Sequence, residues 1–548
     1  MPEKITVHSA TVRGGMVDKV EPFYLDQQQT VLLQNSDPTQ PFSRKRRGGV
    51  ADQGGANAFP QGLWRAQDTT LNQQALFAAY GGKVYIVPGA GVVAQRASGV
   101  SLTSHSLHMA IEGYWENRRS QYVCMAQTHD TALSLATHLF VITDDNQYSQ
   151  TASMAPTCAA WFQYRLWCAN NLYAENRETV WFSELNDGLS YSLSNSLQIE
   201  PGIGGDIMAL VPLREDVPKL LVLKREALAV LEPRWGSEGY IPQAGDALDT
   251  TNSRVRILSQ NVGCVATRSV QYVPGSQAGD IIFLGRDGFR SIQRDATDVV
   301  AGASPPLSDN IHDTIRRINY SYVHKAVSCV HENFYHCAVP LDGAEENNYI
   351  LTLDLETGSW YLNTWSTKDL VVAQRGLERN WMWSQYSELS TDCSVTGAFE
   401  GYHVFQCDTG VLDPSGAPIQ FQEDTRAFLL TGDIQQKCVW DSFRISVKNA
   451  ASATAAFTML YNVDQEGWVT AASMTTIGQA TPIILGEDPL PWASREATIT
   501  TQKFALNDAP PGYSIQIRYL NADLSIPTVV DVAVKGEPIE DEYDNAIT

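Results

Sequence analysis

Nothing in this 548-residue chain approaches the roughly 18 successive apolar residues of a membrane-spanning helix, and the opening MPEKITVHSATVRGG carries no apolar signal core. Synthesis in a cytosol, without a bilayer span, is the expectation. CxxC pairs are missing too. The nine cysteines are scattered from Cys124 to Cys438, and an odd number leaves at least one unpaired. Reduced, buried thiols are therefore expected in place of zinc ribbons or a disulfide framework. Basic residues are scarce: 39 Lys and Arg stand against 61 Asp and Glu, a formal net charge of −22. That balance excludes general binding to the outside of nucleic acid, because phosphate contacts need a basic surface.

Signatures of catalysis are equally sparse. There is no GxSxG elbow, P-loop or HExxH. His105 with His108, and His331 with His336, are the closest histidine spacings, and neither pair has a third ligand at a metal-binding interval. Gly202-Ile203-Gly204-Gly205 lies in a β region and lacks the helix that a phosphate cradle requires. The paired carboxylates Asp144-Asp145 and Glu345-Glu346 read as hairpin tips, where adjacent solvated groups cannot hold an acid at one pKa and a base at another. The expectation is a chain that is not an enzyme and needs no cofactor or metal.

What the sequence does contain is the β-hairpin, repeated. In LLVLKREALAVL two apolar runs flank a charged turn at Lys224-Arg225-Glu226; the runs are too short for helices and too close for βαβ crossovers, so the strands are antiparallel. The unit recurs in LFAAYGGKVYIV, LFVITDDNQYS, LWCANNLYAENRETVWF, IIFLGRDGFRSI, FYHCAVPLDGAEENNYILTLDLETGSWY and YHVFQCDTGVLD. Several of these hairpins lie roughly 50–60 residues apart, the length of a four-stranded blade with an added loop. Such a sheet cannot bury both faces alone, whereas sheets packed around an axis can. The predicted fold is all-β: a six-bladed β-propeller over 61–422, followed by a β-sandwich platform domain over 423–536 and an acidic tail over 537–548. The sandwich strands are read at TRAFLLTGD, VWDSFRISVKN, AAFTMLYNVD, REATITTQKFAL, GYSIQIRYLN and TVVDVAVKGEP.

Residues 1–60 are polar, with strand candidates at Lys4 to Val12 and Gln29 to Leu33, and read as part of the platform and subunit interface. The basic run Arg44-Lys45-Arg46-Arg47 is either a solvated loop or an interface loop docking on an acidic neighbour.

Two resemblances follow from the residues. SELNDGLSY loosely resembles the Asp-box turn of sialidases and related propellers, where the motif is structural. GLWRA, VWFSELNDGLSYS with GGDIMALVPL, VGCVATRSV, PLSDNIHDTIRRIN and DTGVLDPSGAPIQFQEDTRAF, in this order with the hairpins, resemble the tail nozzle or tail-stabilisation proteins of short-tailed bacteriophages. The resemblance implies a virion protein made in the host cytoplasm and placed in the tail, forming a ring, expected to be a hexamer, around the DNA exit channel. Its implied partners are further copies of itself, the tail adaptor of the portal-tail assembly, a tail fibre or needle, the host envelope, and genomic DNA that passes without specific binding. Acidic loops would then line the channel, with Asp144, Asp145, Glu345 and Glu346 as candidates. The alternative is a carbohydrate-binding or carbohydrate-cleaving propeller at a phage or bacterial surface, with some of the 13 Trp and 22 Tyr as sugar platforms.

Overall fold

The computed structural model describes residues 4–9, 13–39, 44–48, 50–56, 60–68, 73–87, 94–95, 107–116, 118–125, 139–143, 148–150, 154–172, 176–192, 194–213, 217–236, 239–243, 246–273, 280–292, 305–374, 380–388, 400–407, 418–448, 455–477, 499–506, 508–522 and 528–539. Apolar strands reversed by short turns make it mostly β. At Gly81-Gly82, strands Gln73–Tyr80 and Lys83–Val87 pair with Tyr80 opposite Lys83. That register leaves two residues to reverse the chain, and both take the left-handed backbone that glycine adopts without strain, φ 56° and 81°.

Such hairpins build a β-propeller. Blade 1 is Pro60–Asp68, Gln73–Tyr80, Lys83–Val87 and Ala94–Gln95; blade 2 is His108–Trp115, Arg118–Met125, Phe140–Thr143 and Tyr148–Gln150. Blade 3 is Pro156–Phe162, Arg165–Asn171, Thr179–Phe182 and Ser196–Gln198; blade 4 is Ile207–Leu213, Lys219–Lys224, Leu228–Glu232 and Arg254–Ser259. Blade 5 is Gln271–Val273, Asp280–Gly285 and Gly288–Ser291; blade 6 is Val327–His331, Phe334–Val339, Tyr349–Asp354 and Trp360–Thr364. Blade 7 is Asp369–Gln374, Asn380–Glu388 and Glu400–Cys407, completed by Val50–Ala56 from the other end of the chain. The first strand of each blade is innermost, and the ring closes where Asp369–Gln374 packs on Pro60–Asp68.

Seven such sheets, among the described residues, correct the six blades predicted from spacing. The sequence shows seven hairpins, but blade 5 is compressed between Gln271 and Ser291, so a uniform blade length undercounts. Aromatic residues fill the wedges. Between blades 3 and 4, Trp167, Phe182 and Trp235 meet at ring-centroid distances of 5.0–6.1 Å above Leu220 and Val222, which are fully buried.

The last strands do not stand alone as a C-terminal sandwich. One sheet orders Ile5–Ser9, Thr528–Pro538, Cys438–Lys448 and Ile499–Ala505, with Arg44–Lys45 beside Thr528–Pro538. The other orders Gln29–Gln34, Phe421–Thr425, Ile515–Asn521, Ala455–Val463 and Val469–Ile477, and joins blade 6 through Leu362 opposite Gln34. The two share one core, in which Leu33, Phe443, Ile445, Met459, Tyr519 and Val532 are buried. Strands from both chain ends are therefore needed to cover it. TRAFLLTGD corrects to a strand that ends at Thr425, and Val469–Ile477 is a strand that the sequence pattern did not single out.

Candidate functional site on the propeller axis

A cavity of about 880 Å³ lies on the axis, lined from all seven blades by residues such as Arg65, Met109, Trp161, Pro212, Tyr272, Val330 and Val372. Each sits on an innermost strand, where alternation of side chains turns every second residue toward the axis.

Arg268, in the segment leading into blade 5, lines this cavity. Its guanidinium donates to the carbonyl of His108, the first residue of blade 2's inner strand, at 3.2 Å, and to Asp369, the first residue of blade 7's. Blades 5 and 2 stand across a seven-membered ring, so the side chain spans the axis. Asp369 is fully buried; its carboxylate also accepts from the N–H of Leu63 in blade 1 at 2.7 Å and from its neighbour Leu370 at 2.9 Å. Burial dominates and holds the Asp369 carboxyl above its ordinary value, while Arg268 and those two N–H groups pull the other way. One ion pair thus ties blades 5, 7, 1 and 2.

The chemistry of the lining is limited. Among the described residues that line the axial cavity, Glu112 is the one carboxylate, and it pairs with Arg119; Asp369 stands behind Arg268. The usual route of glycoside cleavage needs two carboxyl groups facing across the scissile bond, about 5–10 Å apart. No group of three or more His, Cys, Asp or Glu that could hold a metal occurs among the described residues.

Of the acidic residues singled out from sequence, neither Glu345 nor Glu346 lines the axial cavity. Glu345 is exposed. Glu346, in the turn before Tyr349–Asp354, is held by Lys325 at 2.8 Å and by Lys368. Burial raises its carboxyl, but the two lysines outweigh that and leave it below its ordinary value. It therefore presents no free carboxylate to a channel. Asp144 and Asp145 lie outside the described residues.

The basic run is a correction. Arg44 belongs to the strand Arg44–Lys45, and Lys45 pairs with Asp37 at 3.2 Å. Arg46 and Arg47 are buried, not solvated and not displayed to a neighbour. Arg46 donates to the Ile419 carbonyl at 3.2 Å; Arg47 donates to Asn35 Oδ1 at 3.1 Å and stacks 4.7 Å over Trp365. They lock the junction between blade 6 and the two-sheet unit.

Sequence reasoning also missed Lys224. Read as part of a charged turn, it is fully buried, with Nζ donating to Glu178 at 3.0 Å and to the carbonyls of Ile199 and Glu200, each at 3.1 Å. The available signal was its place directly after LLVL, where strand alternation continues inward. SELNDGLSY forms the connection between the third and fourth strands of blade 3 and plugs into blade 2. Gly188 donates its N–H to Tyr122 Oη at 2.9 Å, and a Cβ there would meet the Tyr122 ring at 2.4 Å.

No protein-family model and no curated protein matches this chain. Solved structures do overlap it. An exo-β-1,3-galactanase from Phanerochaete chrysosporium with galactose is 10% identical, covers 82% of this chain and 100% of its own, and has a TM-score of 0.25. A Trypanosoma rangeli sialidase with sialic acid is 9% identical over 98% and 97%, with a TM-score of 0.23. A β-fructofuranosidase from Schwanniomyces occidentalis is 9% identical over 92% and 99%, with a TM-score of 0.19. The expectation that the chain is not an enzyme does not stand beside these matches, all three of which carry the names of enzymes. At such TM-scores the overlap assigns this chain no activity, substrate or catalytic residue.

Proposed function

We propose that this chain is a subunit of a ring in the tail of a short-tailed bacteriophage, with copies of the chain, six by expectation, enclosing the route by which the genome leaves. The ordered phrases from Gly62 to Phe428 motivate the reading. One structural observation carries it. Among the described residues, Val20, Tyr24, Ile434, Val439, Val469 and Tyr513 are large apolar side chains 43–67% exposed on or beside the two-sheet unit, where Ile5–Ser9 and Val469–Ile477 stand at the ends of the strand order among the described residues. The propeller is closed on itself, so association falls to this unit. Because Arg268 bridges the propeller's own axis, the genome's route runs between copies. The tail adaptor, a fibre or needle and the host envelope are the further partners of this reading.

Negative-stain imaging and light scattering of the full chain test it. Rings with a central opening are expected, dissociating to monomers in Val439→Glu or Val469→Glu while the melting temperature stays unchanged. A chain that stays monomeric and is missing from tail particles overturns the reading.

Recognition or cleavage of carbohydrate at a phage or bacterial surface is the second reading. It is favoured by a polar pocket in which Asn170 Oδ1 is buried without a hydrogen-bond partner. Binding of host surface polysaccharide, and release of reducing sugar from it, test that reading directly.

A further inference from the structure

A second cavity, of about 370 Å³, lies among the inner-strand ends of blades 3 and 4 and the segments leading into blades 5 and 6. Its size falls in the range of small-molecule sites. Two buried polar side chains line it. Thr157 is 3% exposed and Asn170 5%. The Asn170 amide oxygen has no hydrogen-bond partner, a state that costs on the order of a hydrogen bond unless something entering the cavity donates to it. Asn170 also holds a left-handed backbone, φ 50°, so its placement comes from a conformation that few residues tolerate.

The charges at the mouth cancel. Asp206 faces Arg225 at 3.5 Å, and Glu226 faces Arg286 at 3.4 Å, leaving no net charge among these four lining groups to select an ionic ligand. Beyond these pairs the polar lining is the Asn170 amide, the hydroxyls of Thr157, Thr267 and Ser321, the His324 imidazole and the partly exposed ring of Tyr320. A buried acceptor and a hydroxyl, with an aromatic face at the rim, are the complement of a compact molecule that carries many hydroxyl groups and an apolar ring face.

We propose that this pocket binds one neutral sugar residue, with Asn170 and Thr157 hydrogen-bonding its hydroxyl groups and Tyr320 against its ring. The assignment rests on the carbohydrate reading above. It is tested on the full chain by ligand-observed NMR and calorimetry with glucose, galactose, mannose, rhamnose and N-acetylglucosamine, and with sialic acid as the charged comparison. Asn170→Gly removes the amide while suiting the left-handed backbone, and Thr157→Val removes the hydroxyl at nearly constant shape. Saturable binding of a neutral sugar, with sialic acid weaker, is expected, and each variant should weaken it tenfold or more at unchanged melting temperature. Binding that both variants leave intact overturns the pocket assignment, and so does a pocket occupied by water alone with no sugar binding. Host polysaccharide separates the two levels. If the chain binds it and Asn170→Gly binds it equally well, carbohydrate recognition stands and this pocket is the wrong place; if neither polysaccharide nor monosaccharide binds, both fail.

Discussion

Mild acid should destabilise this chain through a single imidazole in blade 6. His336, on strand Phe334–Val339, is 6% exposed, and its Nδ1 lies 2.9 Å from the Thr352 hydroxyl on the neighbouring strand. Asn363 Nδ2 donates to that same hydroxyl at 3.2 Å. Burial first, then the nearby His331, push the His336 pKa down to about 3. In the unfolded chain the ring titrates near 6.5. Between those values the unfolded chain takes up a proton that the folded chain refuses, so stability is full above pH 6.5 and falls as the pH drops toward 3. At pH 5 the loss is about 1.5 pH units at about 1.36 kcal/mol each, or about 2 kcal/mol. His336→Gln keeps a hydrogen-bonding side chain and cannot titrate. Urea unfolding followed by circular dichroism at pH 7 and pH 5 should show the parent losing about 2 kcal/mol more than the variant. Equal losses in the two proteins would refute the reasoning.

Three further perturbations read other parts of the fold. Arg268→Leu leaves Asp369 buried without its cation and should cost about 3–5 kcal/mol at pH 7; the cost should shrink in Arg268→Leu/Asp369→Asn, and thermal melts giving an additive double variant would rule out the ion pair as the link. Gly188→Ala forces a methyl group into the Tyr122 ring, for an expected loss of about 1–3 kcal/mol; an unchanged denaturant midpoint would mean that this turn does not staple blade 3 to blade 2. The eight cysteines among the described residues are buried, and burial raises the thiols of Cys264 to about 11 and of Cys168 and Cys337 to about 12, so peptide mapping after native iodoacetamide treatment at pH 8 should find them unmodified and urea should expose them.

Much of the propeller was legible because a hairpin announces itself locally. In LFAAYGGKVYIV the turn residues and both strands lie within twelve positions, and the structure uses each as read. Blade 7 was legible only through YHVFQC, because its outer strand, Val50–Ala56, is polar and glycine-bearing and pairs with Glu400–Cys407 far along the chain. No periodicity reports a partner so distant. The sites failed for a related reason. Arg46, Arg47 and Lys224 look solvated because charge usually is, yet each is buried against carbonyls and side chains that other segments bring. Arg268 carries no local mark at all: its place across the axis exists only once the ring has closed.

That closure also bears on how charge can serve a conduit. A side chain spanning the axis and anchored in blades 7 and 2 obstructs the propeller interior. On the tail-ring proposal, a wall facing a duplex comes from outer surfaces of several copies, where exposed carboxylates count and neutralised ones do not. Glu346 is spent on Lys325 and Lys368, whereas Glu345 beside it is exposed. Reversing the two should therefore separate field from fold: Glu346→Lys sets a third cation against two lysines and should lower the melting temperature, while Glu345→Lys should leave it unchanged. A slower genome release by Glu345→Lys particles would then report the wall itself, since a lysine there offers phosphates a place to hold. If Glu345→Lys melts as low as Glu346→Lys, the turn is one structural unit, and neither carboxylate can be assigned to a conduit.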